Sequence, residues 1–320
     1  MPIHYQLLIN PAAGSGNGQQ TATTIIQELT KHNCSFTAHY TTYAGEEKVI
    51  LDQLINEHLT PWSPEISDEQ LFSLLVVIGG DGTLHQVVNH LDFLQIKLPL
   101  AYLPGGSGND FARGAGISLD PTKALDNLLK VKQPQEITLI RYQEQVQQIQ
   151  GLAISDFGIG LDAQIVQAAN LSQNKKRLNH FHLGFLTYLL SALTIFWRQK
   201  GFPLLIQSNG KQYALKKALL CSVLNTPFFG GGLMIAPMAS CTKKQLDLVL
   251  VERIAPFKLV YLLLKLLRKT HTQAKDFQHF SDQKLRIIST VPQLAQADGE
   301  IIAKGSFDFT LTLAKQQLWY

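Results

Sequence analysis

Three short runs in this sequence combine glycine with residues able to meet phosphate or metal. They are Gly14-Ser15-Gly16-Asn17-Gly18, Gly79-Gly80-Asp81-Gly82-Thr83 and Gly105-Gly106-Ser107-Gly108-Asn109-Asp110. Glycine tolerates positive φ and close backbone approach, so successive N–H groups can turn toward an anion. A helix opening behind such a turn adds the positive end of its dipole. Taken singly, each run reads as a structural turn. Three together suit a polyphosphate better than a lone carboxylate. The first run lacks GxGxxG spacing and no GxxxxGK[ST] occurs anywhere, which disfavours a dinucleotide dehydrogenase and a P-loop NTPase.

Asp81 and Asp110 lie inside two of these runs. A carboxylate beside phosphate oxygens is repelled by about 1 to 4 kcal/mol at contact distance, depending on local dielectric. The placement makes sense when a divalent cation lies between them, and Mg²⁺ favours one or two carboxylates with waters and phosphate oxygens. The structural alternative is that Asp81 caps the helix beginning at Thr83 and Asp110 caps the one holding Phe111 and Ala112. For Asp110 the two readings are equal; for Asp81, with glycines on both sides, chemistry is favoured.

The elements that must position these residues alternate. Apolar runs at 5–10, 35–41, 74–78 and 98–103 are each followed by a glycine-containing turn or a helical pattern. That predicts parallel βαβ units with both sheet faces covered, the glycine turns emerging together at the carboxyl edge. After Gln133-Pro134 the texture changes. Runs at 137–142, 146–154, 203–207, 213–224, 246–251, 285–289 and 306–313 predict a mainly antiparallel unit, interrupted by helices near 182–197 and 257–269. A boundary between the two units is expected near residue 134.

The chain has 320 residues, 45% hydrophobic and 16% charged, with a net charge of +4, which excludes a disordered or fibrous protein and does not announce a nucleic-acid binder. Three cysteines, Cys34, Cys221 and Cys241, show no CxxC spacing and argue against a disulfide scaffold or a cysteine zinc site. No signal-peptide pattern is read at the start, and the apolar stretch 183–197 falls short of the ~20 residues that span a bilayer. A cytoplasmic protein is expected. Lys175-Lys176-Arg177 reads as a solvated helix end or loop, with contact to lipid headgroups the minority reading. The stretch 259–267 reads as core packing, while its basic flank, Lys265, Arg268 and Lys269, leaves an interfacial role open. His85, His180, His182 and His271 show no metal-ligand spacing and read as ordinary histidines.

Taken in order, Asn10-Pro11 with 14–18, then 79–83, then Pro104 to Asn109-Asp110-Phe111-Ala112-Arg113 resemble the diacylglycerol kinase catalytic-domain family. Bacterial lipid kinases match best, and sphingoid-base kinases are relatives. The likeness extends over nearly the whole chain, through Phe229-Gly230-Gly231-Gly232, Ala236-Pro237 and Asp298-Gly299-Glu300. NAD kinases share the GGDGT run and phosphofructokinases have a related one, but the combination in this order is highly specific.

The resemblance implies an ATP-binding α/β first domain of phosphofructokinase and NAD-kinase type over 1–134, completed by a return strand at about 306–320, and a lipid that enters a cleft shared with the β-rich lipid-substrate domain over 135–305. Carried over by motif, Asn10, Gly14, Ser15, Gly16, Asn17, Gly18 and Thr41 would contact nucleotide. Gly79, Gly80, Asp81, Gly82, Thr83 and His85 would wrap the phosphates, with Ser107 where the family usually has threonine. Asp81 and Asp110 match the pair linked to catalytic Mg²⁺ through water. Asp298, followed by Glu300, matches the general base; Asp-Gly is also a strong hairpin-turn signal, and both can hold. Where the family often carries a structural metal motif, this chain has Lys243-Lys244-Gln245-Leu246-Asp247, so a metal at Asp247 is expected absent or weakened.

The function so implied is transfer of the γ-phosphate of ATP to a lipid hydroxyl, diacylglycerol to phosphatidic acid first, by a protein that visits the membrane surface. A sphingoid base, phosphatidylglycerol or, less well, NAD are alternative acceptors, and a nucleotide- or lipid-binding regulator is the non-enzyme alternative. A homodimer is left open.

Overall fold

β3 (Phe72–Gly79) shows why the first sheet forms. Leu74, Leu75, Val76, Val77 and Ile78 are all at most 1% exposed. Such a run suits only a strand covered on both faces. Leu74, Val76 and Ile78 pack with Ala22, Ile25 and Leu29 of α1 (Asn17–Lys31) and with Ala124, Leu125 and Leu128 of α5 (Pro121–Lys130). The alternate side chains face the layer of α2 (Glu46–Glu57) and α3 (Asp81–Phe93). The computed structural model describes residues 1–67, 69–171, 194–197 and 199–320.

Two compact units result, Met1–Ile137 with Lys315–Tyr320, and Thr138–Ala314. In the first, β1 (Ile3–Ile9), β2 (Ser35–Tyr40), β3, β4 (Leu100–Pro104) and the end of β15 (Glu300–Leu318) lie in the order β15-β4-β3-β1-β2, every neighbouring pair parallel. Trp319 locks the returning end in place. It is 1% exposed, stacks on Phe72 with ring centroids 5.7 Å apart, and donates its indole N–H to the Val131 carbonyl at 3.2 Å.

The second unit is mainly antiparallel. β5 (Gln135–Glu144) enters it and pairs with β6 (Ile149–Ala153). β7 (Asp156–Gly160), β8 (Phe202–Ser208), β9 (Lys211–Leu224), β12 (Leu246–Glu252), β13 (Phe277–Asp282) and β14 (Lys284–Ala297) follow. The order β13-β12-β9-β7-β14-β15 leaves β8 bridging β14 and β9. β10 (Phe228–Phe229) and β11 (Leu233–Met234) form a separate small hairpin. One apolar layer gathers Phe157, Phe307 and Phe309; another gathers Leu219, Val249, α6 (Leu161–Leu171) and α7 (Pro256–Leu267).

The expected change from a parallel α/β unit to a mainly antiparallel one is therefore present. The helix expected at 182–197 is helical at 194–197, while 182–193 lie outside the described residues, as do Lys175-Lys176-Arg177, His180 and His182. No helix among the described residues is long and apolar enough to cross a membrane.

Candidate functional site: three packed glycine turns and a stapled carboxylate

The three glycine turns of the first unit meet backbone to backbone. A Cβ on Gly106 would come 2.6 Å from the Cα of Gly80, and one on Gly14, at φ +59°, would come 2.7 Å from the carbonyl oxygen of Gly105. No side chain fits at either point, which is the physical need for glycine there. The Gly105 N–H donates to the Gly79 carbonyl at 2.7 Å, tying the third turn to the second. Asn10 ties the first to the second, its Nδ2 donating to Thr83 Oγ1 at 2.9 Å while its Oδ1 accepts the Ala12 N–H at 3.1 Å. Thr41 joins the same edge, buried, its N–H donating to the Ile9 carbonyl at 2.9 Å.

The first run is a 3₁₀ turn over Ala13–Gly16, so Asn17 and Gly18 belong to the first turn of α1 rather than to the loop. The N-cap residues of α1 and α3, Gly16 and Gly80, supply no side-chain cap. Backbone carbonyls meet several of the first amides instead, Asn17 N–H reaching Ala13 and Gly14, Gln19 N–H reaching Pro11 at 3.2 Å and Thr83 N–H reaching Gly80 at 3.0 Å. The positive ends of both helices still face that edge. Gly82 lies in the first turn of α3, Ser107 is exposed in the third glycine turn, and His85 is 4% exposed within α3.

Asp81 does something the sequence reading did not anticipate. Its Oδ2 accepts the Asp110 N–H at 2.9 Å and its Oδ1 faces the Phe111 N–H at 3.4 Å. It therefore caps not its own helix but the start of α4 (Asp110–Ala115), whose own N-cap, Asn109, offers no side-chain bond there. Asp110 sits at the first position of α4 and serves this staple through its backbone. Asn109 instead closes the third turn, accepting the Gly106 N–H and donating to the Gly106 carbonyl, both at 2.9 Å.

Tyr102 underlies the pair and carries no motif signal. Its hydroxyl donates to the Gly79 carbonyl at 3.2 Å and lies 3.5 Å from Asp81 Oδ1. Burial first, and the charges of Asp81 and Asp110 after it, push its phenol well above the ordinary value. Only its place in β4, two residues before Pro104 and the third turn, marked it out. Two carboxylates on a turn-lined edge give an all-oxygen donor set, which suits Mg²⁺ completed by water and phosphate. Among the described residues no group of three or more His, Cys, Asp or Glu could hold a metal alone.

In the second unit, Asp298 and Gly299 have φ of +49° and +86° and turn the chain between β14 and β15. Positive φ at both positions is the two-residue hairpin geometry. The Asp298 carboxylate accepts N–H groups of Ile154 (2.7 Å), Ser155 (2.8 Å) and Asp156 (3.2 Å). Gln296, 1% exposed, accepts the Gly299 N–H and donates to Asp162 Oδ2, each at 2.8 Å, and to Asp156 Oδ2 at 2.5 Å. A lone polar residue among Leu294, Ala295 and Ala297 was the signal that could have found it. Glu300 is exposed. Burial, then the charges of Asp298 and Glu300, push the Tyr142 phenol up to about 12.

Asp247 is fully buried and its Oδ1 receives His279 Nε2–H at 2.8 Å and Ser281 Oγ–H at 2.7 Å, with Gln245 Nε2 at 3.3 Å. Burial alone would raise its pKa, but the bonds from His279 and Ser281 hold it below the usual value. This donor-rich surrounding does not fit a bound cation.

A parallel sheet ending in packed glycine turns, followed by an antiparallel β unit, defines the NAD-kinase-like class of two-domain folds. Residues 4–142 match the diacylglycerol kinase catalytic domain and residues 156–313 the YegS C-terminal NAD kinase beta sandwich-like domain. Residues 4–142 are a domain of the diacylglycerol kinase catalytic family, and the chain as a whole is similar to lipid kinases.

The chain is 29% identical over 308 residues to a Bacillus subtilis protein named "Putative lipid kinase YtlR", covering 95% of each. It is 22% identical to a Bacillus subtilis diacylglycerol kinase, over 92% of this chain and 89% of that one. A crystal structure of a diacylglycerol kinase from Bacillus anthracis superposes with TM-score 0.67 at 18% identity, covering 99% of this chain and 96% of the other. Yeast NADH kinase gives TM-score 0.50 at 12% identity, over 99% and 83%, a likeness of fold alone.

Proposed function

We propose that this chain transfers the γ-phosphate of ATP to a lipid hydroxyl, with diacylglycerol as acceptor and phosphatidic acid as product. The observation that carries the reading is the mutual contact of the three glycine turns, with Asp81 held to the backbone of Asp110. The turns, with the positive ends of α1 and α3 behind them, orient a polyphosphate through backbone N–H groups. Asn10, Thr41, Thr83 and Ser107 add polar side chains at that edge. Mg²⁺, held by Asp81 and Asp110 through water, would supply neutralisation of phosphate charge.

Asp298 takes the proton of the lipid hydroxyl, its carboxylate oriented in advance by the amides of Ile154, Ser155 and Asp156. Glu300 stands beside it in sequence as the second acid of that motif. A lipid acceptor is supported by an apolar cavity of about 70 Å³ in the second unit, walled by Leu161, Phe229, Leu262 and Phe277 among others. That is roughly two waters' worth of space, so an acyl chain would need the wall to yield.

The test is incubation with labelled ATP and a panel of diacylglycerol, sphingoid bases, phosphatidylglycerol and NAD. Label in phosphatidic acid, dependent on magnesium, is the expected result. Label in NAD alone, or in nothing, overturns the reading.

A further inference from the structure

α7 has two apolar faces. Leu259 and Leu262 are buried, and with Leu263 and Leu266 they wall the apolar cavity. On the opposite side Phe257, Val260, Tyr261, Leu264 and Leu267 recur at spacings of three and four, and are 49% to 73% exposed. A helix packed on a water-soluble surface places polar residues there. An unbroken exposed apolar stripe marks an interaction surface.

The charges carried by α7 and the two residues after it have one sign. α7 contains no Asp or Glu, while Lys258 and Lys265 lie within it and Arg268 and Lys269 follow directly. Lys258 approaches Asp276 at 3.7 Å, and the Lys265 ammonium lies 5.1 Å from the Tyr261 ring centroid. Arg268 and Lys269 are exposed, and among the described residues neither they nor Lys265 make an ion pair.

We propose that this face of α7 docks on an anionic phospholipid bilayer. The stripe enters the boundary between headgroups and acyl chains, and the cations meet the phosphates. A second copy of the chain is a poor occupant, because facing two such helices sets cation against cation with no acid on either to offset them. The docked helix is also the wall of the apolar cavity, so its movement on the membrane would open that space toward the acyl chains. This last step rests on the lipid-acceptor reading above; the docking itself does not.

The test uses full-length protein and vesicles of phosphatidylglycerol and phosphatidylcholine, read by co-sedimentation. One variant replaces Phe257, Tyr261 and Leu264 with serine; another is K265Q/R268Q/K269Q. Each basic residue contributes about a fivefold change in partitioning near an anionic surface, so the second variant should bind roughly 100-fold more weakly. Both should keep their melting temperature and their turnover of a short-chain, water-soluble diacylglycerol. Unchanged vesicle binding by either variant, or equal binding to vesicles of phosphatidylcholine alone, overturns the docking. Vesicle binding that both variants lose, in a protein that phosphorylates no lipid, upholds the docking and removes the lipid-acceptor reading instead.

Discussion

Asp81→Asn separates the two jobs assigned to this carboxylate. Hydrogen bonds to a charged acceptor contribute about 1.5–3 kcal/mol, against about 0.5–1.5 kcal/mol for neutral ones. Asparagine keeps one oxygen for the Asp110 amide, which weakens that bond, and turns an NH₂ toward the Phe111 amide, which loses the longer one. Together these amount to about 2 kcal/mol. For a unit of this size each kcal/mol moves the transition by about 2–4 °C, so the melting temperature should fall by roughly 4–8 °C. Asp110→Asn is the control, because Asp110 enters the staple through its backbone amide, which the substitution leaves in place. It should lose much less stability. Both variants should lose the strengthening of ATP binding by magnesium, by roughly 10–100-fold in calorimetry. Equal destabilisation by the two variants would refute the staple. Retained magnesium dependence in both would refute the shared cation.

Other consequences are as direct. Trp319→Ala should destabilise the first unit by about 3–5 kcal/mol in denaturant unfolding, because the indole seals the core against Phe72; a change below 1 kcal/mol would show that the returning end is dispensable. Asp298→Ala should lower phosphate transfer by roughly 10²–10⁴-fold and speed amide exchange at Ile154, Ser155 and Asp156, and unchanged transfer would remove Asp298 as the base. Asp247 has a depressed pKa in the folded state, so its contribution to stability is fully present above the unfolded value of about 3.9 and is lost as pH falls through the lower folded value. Ser281→Ala should therefore reduce stability at neutral pH and flatten its loss on acidification, measured by urea unfolding across that range. Nucleotide-free protein should hold no tight magnesium ion at Asp247, and an ion found there by calorimetry would contradict the hydrogen bonding described.

Local pattern carried the chemistry of this protein a long way. Continuous apolar runs such as 74–78, each ahead of a glycine turn, are the direct imprint of strands buried on both faces, so the parallel unit and its carboxyl edge were legible. The order of the motifs made the family legible too. What pattern cannot encode is which amide a carboxylate finds. Asp81 spans 29 positions to cap the helix of Asp110, and Asp298 spans 144 to reach Ile154. Nor does alternation reveal that Tyr102 and Gln296 lie beneath the two acidic motifs, since a buried polar side chain in a strand is defined by its partners. The leucines of α7 show the same limit. Their spacing announced an apolar helix, but only packing could divide Leu259 and Leu262, which face the core, from Phe257, Tyr261 and Leu264, which face water. Sequence determines the local conformations and the kinds of group available. Long-range closure of the chain decides which of those groups meet, because a hydrogen bond or a buried contact exists only once both partners have been brought to the same place.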